Sequence, residues 1–241
     1  MSQVEGYIYE VFGSFQGEGP RLGERHAFVR FCLCNLRCAY CDTRYARTRR
    51  PRARLYGGGA AISVPNPVSV GAVAEAVLAQ EAPPGFSALS LTGGEPLMQP
   101  EFLGALLRGF SGRFKVLLET NGTLPDAFME VAGLIDIVSM DIKLPSAAGL
   151  GPMWDAHAAF LAACAGKELV VKTVFSPSTP LDEVASAARL VADNAPDALF
   201  VLQPVSPVRG GGRLIEYYAE ARRFLDSVRV IPQVHRITGV K

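Results

Sequence analysis

The sequence lacks a long apolar run, a strong charge of one sign and a hydrophobic leader. Among its 241 residues no apolar run reaches the roughly 18 residues of a membrane span, so we expect no membrane partner. Its 24 basic and 23 acidic residues give a net charge of +1, which offers no overall attraction for nucleic acid. Residues 1–20 contain Glu5, Glu10 and Glu18 instead of a basic-then-apolar leader, so we expect a cytoplasmic protein.

Composition and periodicity predict one folded α/β domain. Hydrophobic residues make up 49% and charged residues 20%, which excludes a disordered chain. No repeat or linker divides the sequence, so we predict a single domain over 1–241 with a basic insertion at about 44–66. Short apolar runs alternate with amphipathic ones, which is typical of βα units on a parallel sheet. Strands are predicted at 7–12, 26–33, 88–91, 115–118, 135–142, 169–175, 198–202 and 228–234, and helices at 69–80, 100–110, 153–165, 181–194 and 213–225.

Unusual polar residues follow six of the predicted strands. In parallel α/β barrels the C-terminal ends of the strands carry the active site, so these residues predict one convergent site. The alternative is that βα loops are polar for solvation alone. The polar segments are the cysteine cluster, residues 92–96 and 119–122, the trio Ser139, Asp141 and Lys143, residues 203–204, and Gln233 with His235.

Cysteine is scarce, and its placement is uneven. Four of the five cysteines fall within residues 32–41, and an odd, clustered set does not suit a disulfide scaffold. Cys34, Cys38 and Cys41 have the spacing C-x3-C-x2-C, and no second pair follows that would complete a structural zinc site. Three thiols without a fourth favour a four-iron cluster with one open iron. Cys32 is a buried strand residue or a further ligand, the former being favoured, and Cys164 is expected in a helix core.

A basic segment follows the cysteines. Six arginines occur between residues 44 and 54 without an acidic residue, and three glycines follow. A solvated loop is the default expectation for such a run. The alternatives are a mobile basic flap that attracts an anionic substrate or an acidic partner protein, and RNA binding, which only Tyr45 and Tyr56 would support as interleaved aromatics.

The cysteine spacing together with Gly93-Gly94-Glu95-Pro96 resembles the radical S-adenosylmethionine (SAM) superfamily. The resemblance implies a partial, open (β/α) TIM-like barrel, an α/β fold of the radical SAM type. It also implies a [4Fe–4S] cluster whose open iron chelates SAM, and reductive cleavage of SAM to a 5′-deoxyadenosyl radical.

A narrower resemblance extends from about residue 5 to the C-terminus. The segments 13–19, 30–31, 34–36, 41–43, 92–96, 119–122 and 233–235 together are similar to the 7-carboxy-7-deazaguanine synthase family. The family implies conversion of 6-carboxy-5,6,7,8-tetrahydropterin to 7-carboxy-7-deazaguanine with release of ammonia, as a radical ring contraction assisted by Mg²⁺ in queuosine biosynthesis. It also implies a homodimer, and a flavodoxin-type reductant is a plausible partner.

The resemblance assigns roles residue by residue. Cys34, Cys38 and Cys41 would ligate the cluster, and Thr43 would ligate Mg²⁺. SAM would be bound by Thr92, Gly93, Gly94, Glu95, Glu119, Asn121, Ser139, Lys143 and Gln203. The pterin would be bound by Gln16, Gly17, Glu18, Arg30, His235 and the terminal carboxylate of Lys241.

Two other functions are compatible with parts of the sequence. An enzyme that installs a glycyl radical on a partner protein would use the cluster, but it has no need of Gln16 and Glu18. A non-catalytic zinc or iron–sulfur protein would explain the cysteines and leave the polar strand ends without a role.

Overall fold

A ten-stranded sheet organises the computed structural model, which describes residues 4–57, 60–81, 85–206 and 213–240. The strands are β1 (Glu5–Gly6), β2 (Ile8–Phe15), β3 (Arg25–Phe31), β4 (Arg52–Gly57), β5 (Ala60–Pro65), β6 (Val68–Ser69), β7 (Ala88–Gly93), β8 (Lys115–Thr120), β9 (Ile137–Ile142), β10 (Glu168–Phe175), β11 (Leu199–Pro204) and β12 (Val228–Val230). Their order in the large sheet is β12-β11-β10-β9-β8-β7-β3-β2-β4-β5, while β1 and β6 form a separate antiparallel pair.

Seven neighbouring strands of this sheet, β3 and β7 to β12, run parallel. They are nearly continuous apolar runs because a parallel sheet is buried on both faces; Leu89 and Leu91 in β7 are fully buried. The two ends of the sheet, β12 and β5, pair with different neighbours, so the sheet stays open. The predicted α/β fold with a partial, open barrel is therefore confirmed.

Helices connect consecutive parallel strands of this sheet, and a last helix follows β12. They are α1 (Val70–Leu78), α2 (Pro100–Arg108), α3 (Pro125–Val131), α4 (Pro145–Ala148), α5 (Trp154–Ala163), α6 (Leu181–Asn194), α7 (Leu214–Ala221) and α8 (His235–Thr238). The Ser69 hydroxyl accepts a hydrogen bond from the Ala72 amide at 3.3 Å and caps α1, as predicted. In α6 the buried residues Val184, Ala187, Ala188 and Val191 follow the helical period, and its bounds equal those predicted. Within the described ranges, no helix combines the length and apolarity needed to cross a bilayer.

The basic segment differs from the solvated loop that its composition suggests. β4 and β5 form an antiparallel hairpin, and β4 pairs in parallel with β2, so the hairpin extends the large sheet. Arg52 and Arg54 are exposed while Ala53 and Leu55 are buried. This alternation has the period of two that a half-buried strand requires.

The end of the sheet also differs from the expectation. The last strand was expected over 228–234, but β12 ends at Val230. The chain then turns into α8, which begins at His235. This change of direction brings His235 to Gly17 and Glu18, as described below.

Candidate active site

A cavity of about 500 Å³ opens at the C-terminal edge of the parallel strands. The loops after β3, β7, β8 and β9 and the ends of β10 and β11 contribute to its lining. Most of the residues with predicted site roles line this cavity. They are Gln16, Gly17, Glu18, Arg30, Cys34, Cys38, Cys41, Thr43, Thr92, Gly93, Gly94, Glu119, Asn121, Ser139, Lys143, Gln203 and His235.

Three thiols, those of Cys34, Cys38 and Cys41, line one wall of the cavity on the loop that follows β3. The Leu36 amide donates to the Cys34 Sγ at 3.4 Å, and the Asn121 Nδ2 lies 3.9 Å from the same sulfur. Burial raises the pKa of the Cys34 and Cys38 thiols, so loading a metal cluster there would release protons.

The three thiols are spaced more widely than a single bound ion would require. One tetrahedral ion with metal–sulfur bonds of about 2.3 Å would draw three thiols to within roughly 4 Å of one another. The three sulfurs of Cys34, Cys38 and Cys41 are not all within 4.8 Å of one another. The wider spacing fits a larger iron–sulfur cluster. Cys32 and Cys164 are buried and, as far as the described chain shows, neither lines the cavity.

Two glycines let the loop after β7 pack against the cysteine loop. Gly93 has φ +114°, and a Cβ there would lie 2.6 Å from the Phe31 amide nitrogen. A Cβ on Gly94 would overlap the Leu33 carbonyl. The Gly94 amide donates to the Phe31 carbonyl at 2.9 Å, and the Glu95 amide to the Leu33 carbonyl at 2.7 Å. A side chain at either glycine would therefore separate the two loops.

Glu95 differs from the other predicted site residues because its side chain lies behind the cavity wall. It is fully buried, and its carboxylate accepts hydrogen bonds from the Thr120 hydroxyl at 2.9 Å, the Asn121 amide at 2.8 Å and the Leu97 amide at 3.2 Å. Burial outweighs these hydrogen bonds and raises its pKa to about 7. The side chain thus fixes the loop after β8, on which Asn121 lines the cavity.

Glu119 joins two other elements of the site. Its Oε2 accepts from the Thr92 hydroxyl at 2.6 Å, and its Oε1 accepts from the Gln16 amide at 3.0 Å. The Gln16 Oε1 in turn accepts from the amides of Gly17 and Glu18 at 2.9 and 3.1 Å. Gln16 therefore shapes the loop that presents Glu18 to the cavity.

A cluster of buried ion pairs surrounds Glu18. This ion-pair cluster consists of Glu18, Asp141, Lys143 and Lys172. Lys172 pairs with Glu18 and lies 3.8 Å from the Asp141 Oδ2, which Lys143 approaches at 2.8 Å. Burial raises the pKa of Glu18, but Lys172 and the Gln233 amide donating at 2.7 Å bring it down to about 2.

Lys172 was not assigned to the site from the sequence, although its position in an apolar strand could have indicated such a role. It is the one charged residue inside the apolar run of β10, as Arg30 is in β3. Arg30 itself donates from Nε to the Glu10 Oε1 at 3.0 Å, and its guanidinium lies 5.4 Å from the centre of the Phe12 ring. Further cavity residues to which the sequence assigned no site role are Glu10, Tyr40, Asp42, Tyr45 and Arg236. Asp141 and Gln233, two of the polar residues predicted to converge at the strand ends, also line the cavity.

The segment after β12 covers the loop that carries Glu18. The Val234 amide donates to the Gly17 carbonyl at 3.0 Å, and a Cβ on Gly17 would overlap the His235 ring. Ligand atoms of Glu18, Asp42 and His235 lie within 4.8 Å of one another, and Arg236 pairs with Asp42 at 3.4 Å. Lys241, whose carboxylate was assigned to the pterin, lies outside the described residues.

Comparison with known proteins identifies the family. Residues 29–158 match the Radical SAM superfamily. The 7-carboxy-7-deazaguanine synthase of Geobacter sulfurreducens is 38% identical over 250 residues, which cover 99% of both chains. The chain belongs to this family. The synthase of Methanopyrus kandleri is 37% identical over 95% of this chain and 92% of that one. The crystal structure of QueE from Escherichia coli has the same fold, with a TM-score of 0.60 at 18% identity over 93% of this chain and 94% of that one.

A radical SAM member of this family uses a [4Fe–4S] cluster and SAM, and the cavity suits both. Three thiols on one wall match the ligand set of a cluster with an open iron. The Asp141 Oδ1 and the Gln203 Oε1 are buried and, in the part of the chain described here, accept no hydrogen bond. Two unsatisfied buried acceptors beside a cavity indicate that a bound molecule supplies donors there.

Proposed function

We propose that this chain is a radical SAM lyase that converts 6-carboxy-5,6,7,8-tetrahydropterin to 7-carboxy-7-deazaguanine with release of ammonia. One observation carries the proposal: a single cavity brings together the three-thiol loop, the Gly93–Gly94 turn and the Glu18–His235 pair. A glycyl-radical activating enzyme would need a protein substrate, for which the full-length similarity to small-molecule synthases gives no support.

The residues on the cofactor side of the cavity would hold and orient the cluster and SAM. When bound, the cluster and SAM together supply the 5′-deoxyadenosyl radical that abstracts hydrogen from the pterin. Cys34, Cys38 and Cys41 hold the cluster as thiolates. The turn at Gly93 and Gly94, which packs against Phe31 and Leu33, would present its backbone to the SAM amino group. The rest of SAM would be bound by cavity-lining side chains, those of Glu119, Asn121, Ser139, Lys143 and Gln203. Thr92 keeps Glu119 in place through its 2.6 Å hydrogen bond.

The residues of the pterin side provide complementary charge. With a pKa of about 2, Glu18 is ionised at neutral pH and can accept two parallel hydrogen bonds from the donor edge of the pterin. Arg30 is held by Glu10 and lines the same cavity, where its planar guanidinium suits the substrate carboxylate. His235 lies against Gly17, beside Glu18.

Magnesium and the assembly of the protein complete the proposal. Thr43 lines the cavity next to the carboxylate of Asp42, and oxygen ligands of this kind suit Mg²⁺. We propose that the chain is one domain, as its lack of a repeat or linker indicates, and that it forms a homodimer, as the family resemblance implies. A cytoplasmic location and a flavodoxin-type electron donor are part of the same proposal.

An anaerobic assay tests this function. The reconstituted protein is incubated with SAM, Mg²⁺, a chemical reductant and 6-carboxytetrahydropterin, and the products are analysed by mass spectrometry and an ammonia assay. We expect 7-carboxy-7-deazaguanine and ammonia in equal amounts. Cleavage of SAM without either product would reject the assignment while leaving the radical SAM chemistry intact.

A further inference from the structure

Two arginines of the basic segment donate hydrogen bonds to the backbone of the cysteine loop. The Arg44 Nη2 donates to the Ala39 carbonyl at 2.5 Å, and its Nε donates to the Cys41 carbonyl at 3.2 Å. The Arg47 Nη2 donates to the Cys38 carbonyl. Two of the three accepting carbonyls therefore belong to cysteines that would hold the cluster.

Other hydrogen bonds support the start of the cysteine loop, where the Gln99 Nε2 and the Glu95 amide donate to the carbonyls of Cys32 and Leu33. Within the loop the Cys41 amide donates to the Cys38 carbonyl at 3.3 Å. Residues 32–43 contain no helix or strand, so their carbonyls have no partners from regular secondary structure. Arg47 joins both ends of the loop, because its own carbonyl accepts from the Cys34 amide at 3.2 Å while its side chain holds Cys38. Because the peptide unit is planar, fixing a carbonyl also fixes the direction of the next amide.

The remaining arginines of the segment have other partners. Arg52 donates to the hydroxyl and carbonyl of Ser63 within the β4–β5 hairpin, and the Arg49 guanidinium lies 4.9 Å from the centre of the Tyr7 ring. Arg50 donates to the Tyr45 carbonyl, and the Arg54 guanidinium lies 5.7 Å from the centre of the Tyr9 ring. Arg44 and Arg47 are thus the arginines of the segment for which the structure shows hydrogen bonds to the cysteine loop. These different partners argue against a uniform solvated or substrate-attracting flap.

We propose that Arg44 and Arg47 are positioning residues for the iron–sulfur cluster. They hold the carbonyls of Cys38, Ala39 and Cys41 so that the three thiols keep the spacing the cluster requires. Their two positive charges lie on the loop that would hold the cluster and would raise its reduction potential, since that potential depends on nearby charge and hydrogen bonding. The inference rests on the proposed function only in assuming that the three cysteines bind the cluster.

The test uses charge-removing, charge-keeping and control variants of the full chain. Arg44→Met and Arg47→Met remove a charge and its hydrogen bonds, Arg47→Lys keeps the charge, and Arg52→Met removes a charge from the hairpin alone. After anaerobic reconstitution, iron per chain, the rate of iron loss to a ferrous chelator and the midpoint potential are measured without pterin. Circular dichroism verifies that each variant is folded.

We expect both Met variants to lose iron at least about tenfold faster than the parent, because charge-assisted hydrogen bonds are the strong ones. Their potentials should shift to more negative values, while Arg47→Lys keeps the potential and loses iron at an intermediate rate. Arg52→Met should match the parent. Equal iron retention and equal potentials in all variants would overturn the proposal, as would a loss in Arg52→Met as large as in Arg47→Met. Because no pterin is used, failure here is distinguishable from failure of the synthase assignment.

Discussion

The cysteine loop and the ion-pair cluster around Glu18 border the same cavity, but they are fixed by different interactions. The loop is fixed through its backbone, by arginines that follow it closely in sequence. The ion-pair cluster is fixed through side chains that meet from distant strands; Lys172 and Glu18 are 154 residues apart. Loss of one charge in the ion-pair cluster leaves another buried charge unpaired, whereas loss of one arginine leaves carbonyls that solvent can satisfy in part.

Because the two walls of the cavity are fixed differently, a substitution in one wall should have a different effect from a substitution in the other. The loop wall must first receive its metal, so its failures should appear as lost iron with the fold intact. The ion-pair cluster belongs to the fold itself, so its failures should appear in stability and in substrate binding together. The following substitutions test that contrast, from the largest expected effect to the smallest.

Replacement of a thiol should abolish activity while sparing the fold. Cys38→Ala removes one of three ligands, and we expect loss of the iron–sulfur absorption band and of SAM cleavage. Cys164→Ala replaces a buried cysteine at the end of α5 that is not among the cavity-lining residues, and it serves as the matched control for iron content. If the Cys38→Ala protein kept its full iron content and turnover, the cysteine loop would not be the site that binds the cluster.

Lys172→Met should damage both stability and substrate binding. Removing one partner of a fully buried ion pair costs roughly 3–5 kcal/mol of unfolding free energy. The side chains of Lys172 and Glu18 are 13% and 18% exposed, so we expect a smaller loss, measurable by urea denaturation. Glu18 has a folded-state pKa of about 2, below the ordinary value of 4.5, so its stabilisation is complete above pH 4.5 and is lost as the pH falls towards 2. Without Lys172 the pKa of Glu18 rises, and the acid limbs of both stability and pterin binding should move to higher pH.

The exposed Lys115→Met is the control for charge and size. A Lys172→Met protein whose KM and acid limb equal those of the parent would show that Glu18 does not depend on Lys172. A changed kcat with an unchanged KM would place Lys172 in the chemistry rather than in support of Glu18.

The sequence allowed the parallel sheet, most helices and the cysteine set to be predicted, because periodicity and spacing are local signals. The α6 helix and the Ser69 cap are examples. The β4–β5 hairpin was missed because arginine composition was given more weight than the alternation of Arg52, Ala53, Arg54 and Leu55. A high arginine content indicates that a segment is solvated, whereas alternation of polar and apolar residues indicates a strand with one exposed and one buried face.

The partners within the site could not be predicted from the sequence. That Lys172 pairs with Glu18, or that the Glu95 carboxylate holds the loop after β8, depends on strand register and on how loops pack across the sheet. A motif shows that Glu95 is part of the site region, but only the fold shows on which side of the wall its side chain lies. Contacts between residues that are far apart in the chain produce no periodic pattern in a single sequence.

Glu95→Gln sharpens the comparison, because Glu95 is a buried acid without a cationic partner among its hydrogen bonds. The Glu95 carboxylate accepts from Thr120, Leu97 and Asn121 with two oxygens, whereas a glutamine amide has one accepting oxygen and an NH2 group that only donates. We therefore expect a loss of about 1–3 kcal/mol in unfolding free energy. The folded-state pKa is raised from 4.5 to about 7, so the unfolded chain loses this proton first and stability falls as pH rises from 4.5 to 7.

This slope of stability between pH 4.5 and 7 should disappear in the variant, as measured by urea denaturation at several pH values. Glu101→Gln, an exposed residue in the first turn of α2, is the control and should keep the slope. If the slope persists in Glu95→Gln, another group is responsible for it.

Gly17→Ala should give the smallest effect, and one confined to substrate binding. The new Cβ would overlap the His235 ring, so the segment after β12 must shift away from Glu18. Because this segment lies at the end of the sheet and not in its core, we expect little change in the melting temperature and a several-fold rise in KM for the pterin. Gly71→Ala in α1, where nothing lies within 4 Å of the new Cβ, is the control. An unchanged KM would mean that His235 does not contribute to the pterin site, while a large loss of stability would mean that this segment belongs to the same structural unit as the ion-pair cluster.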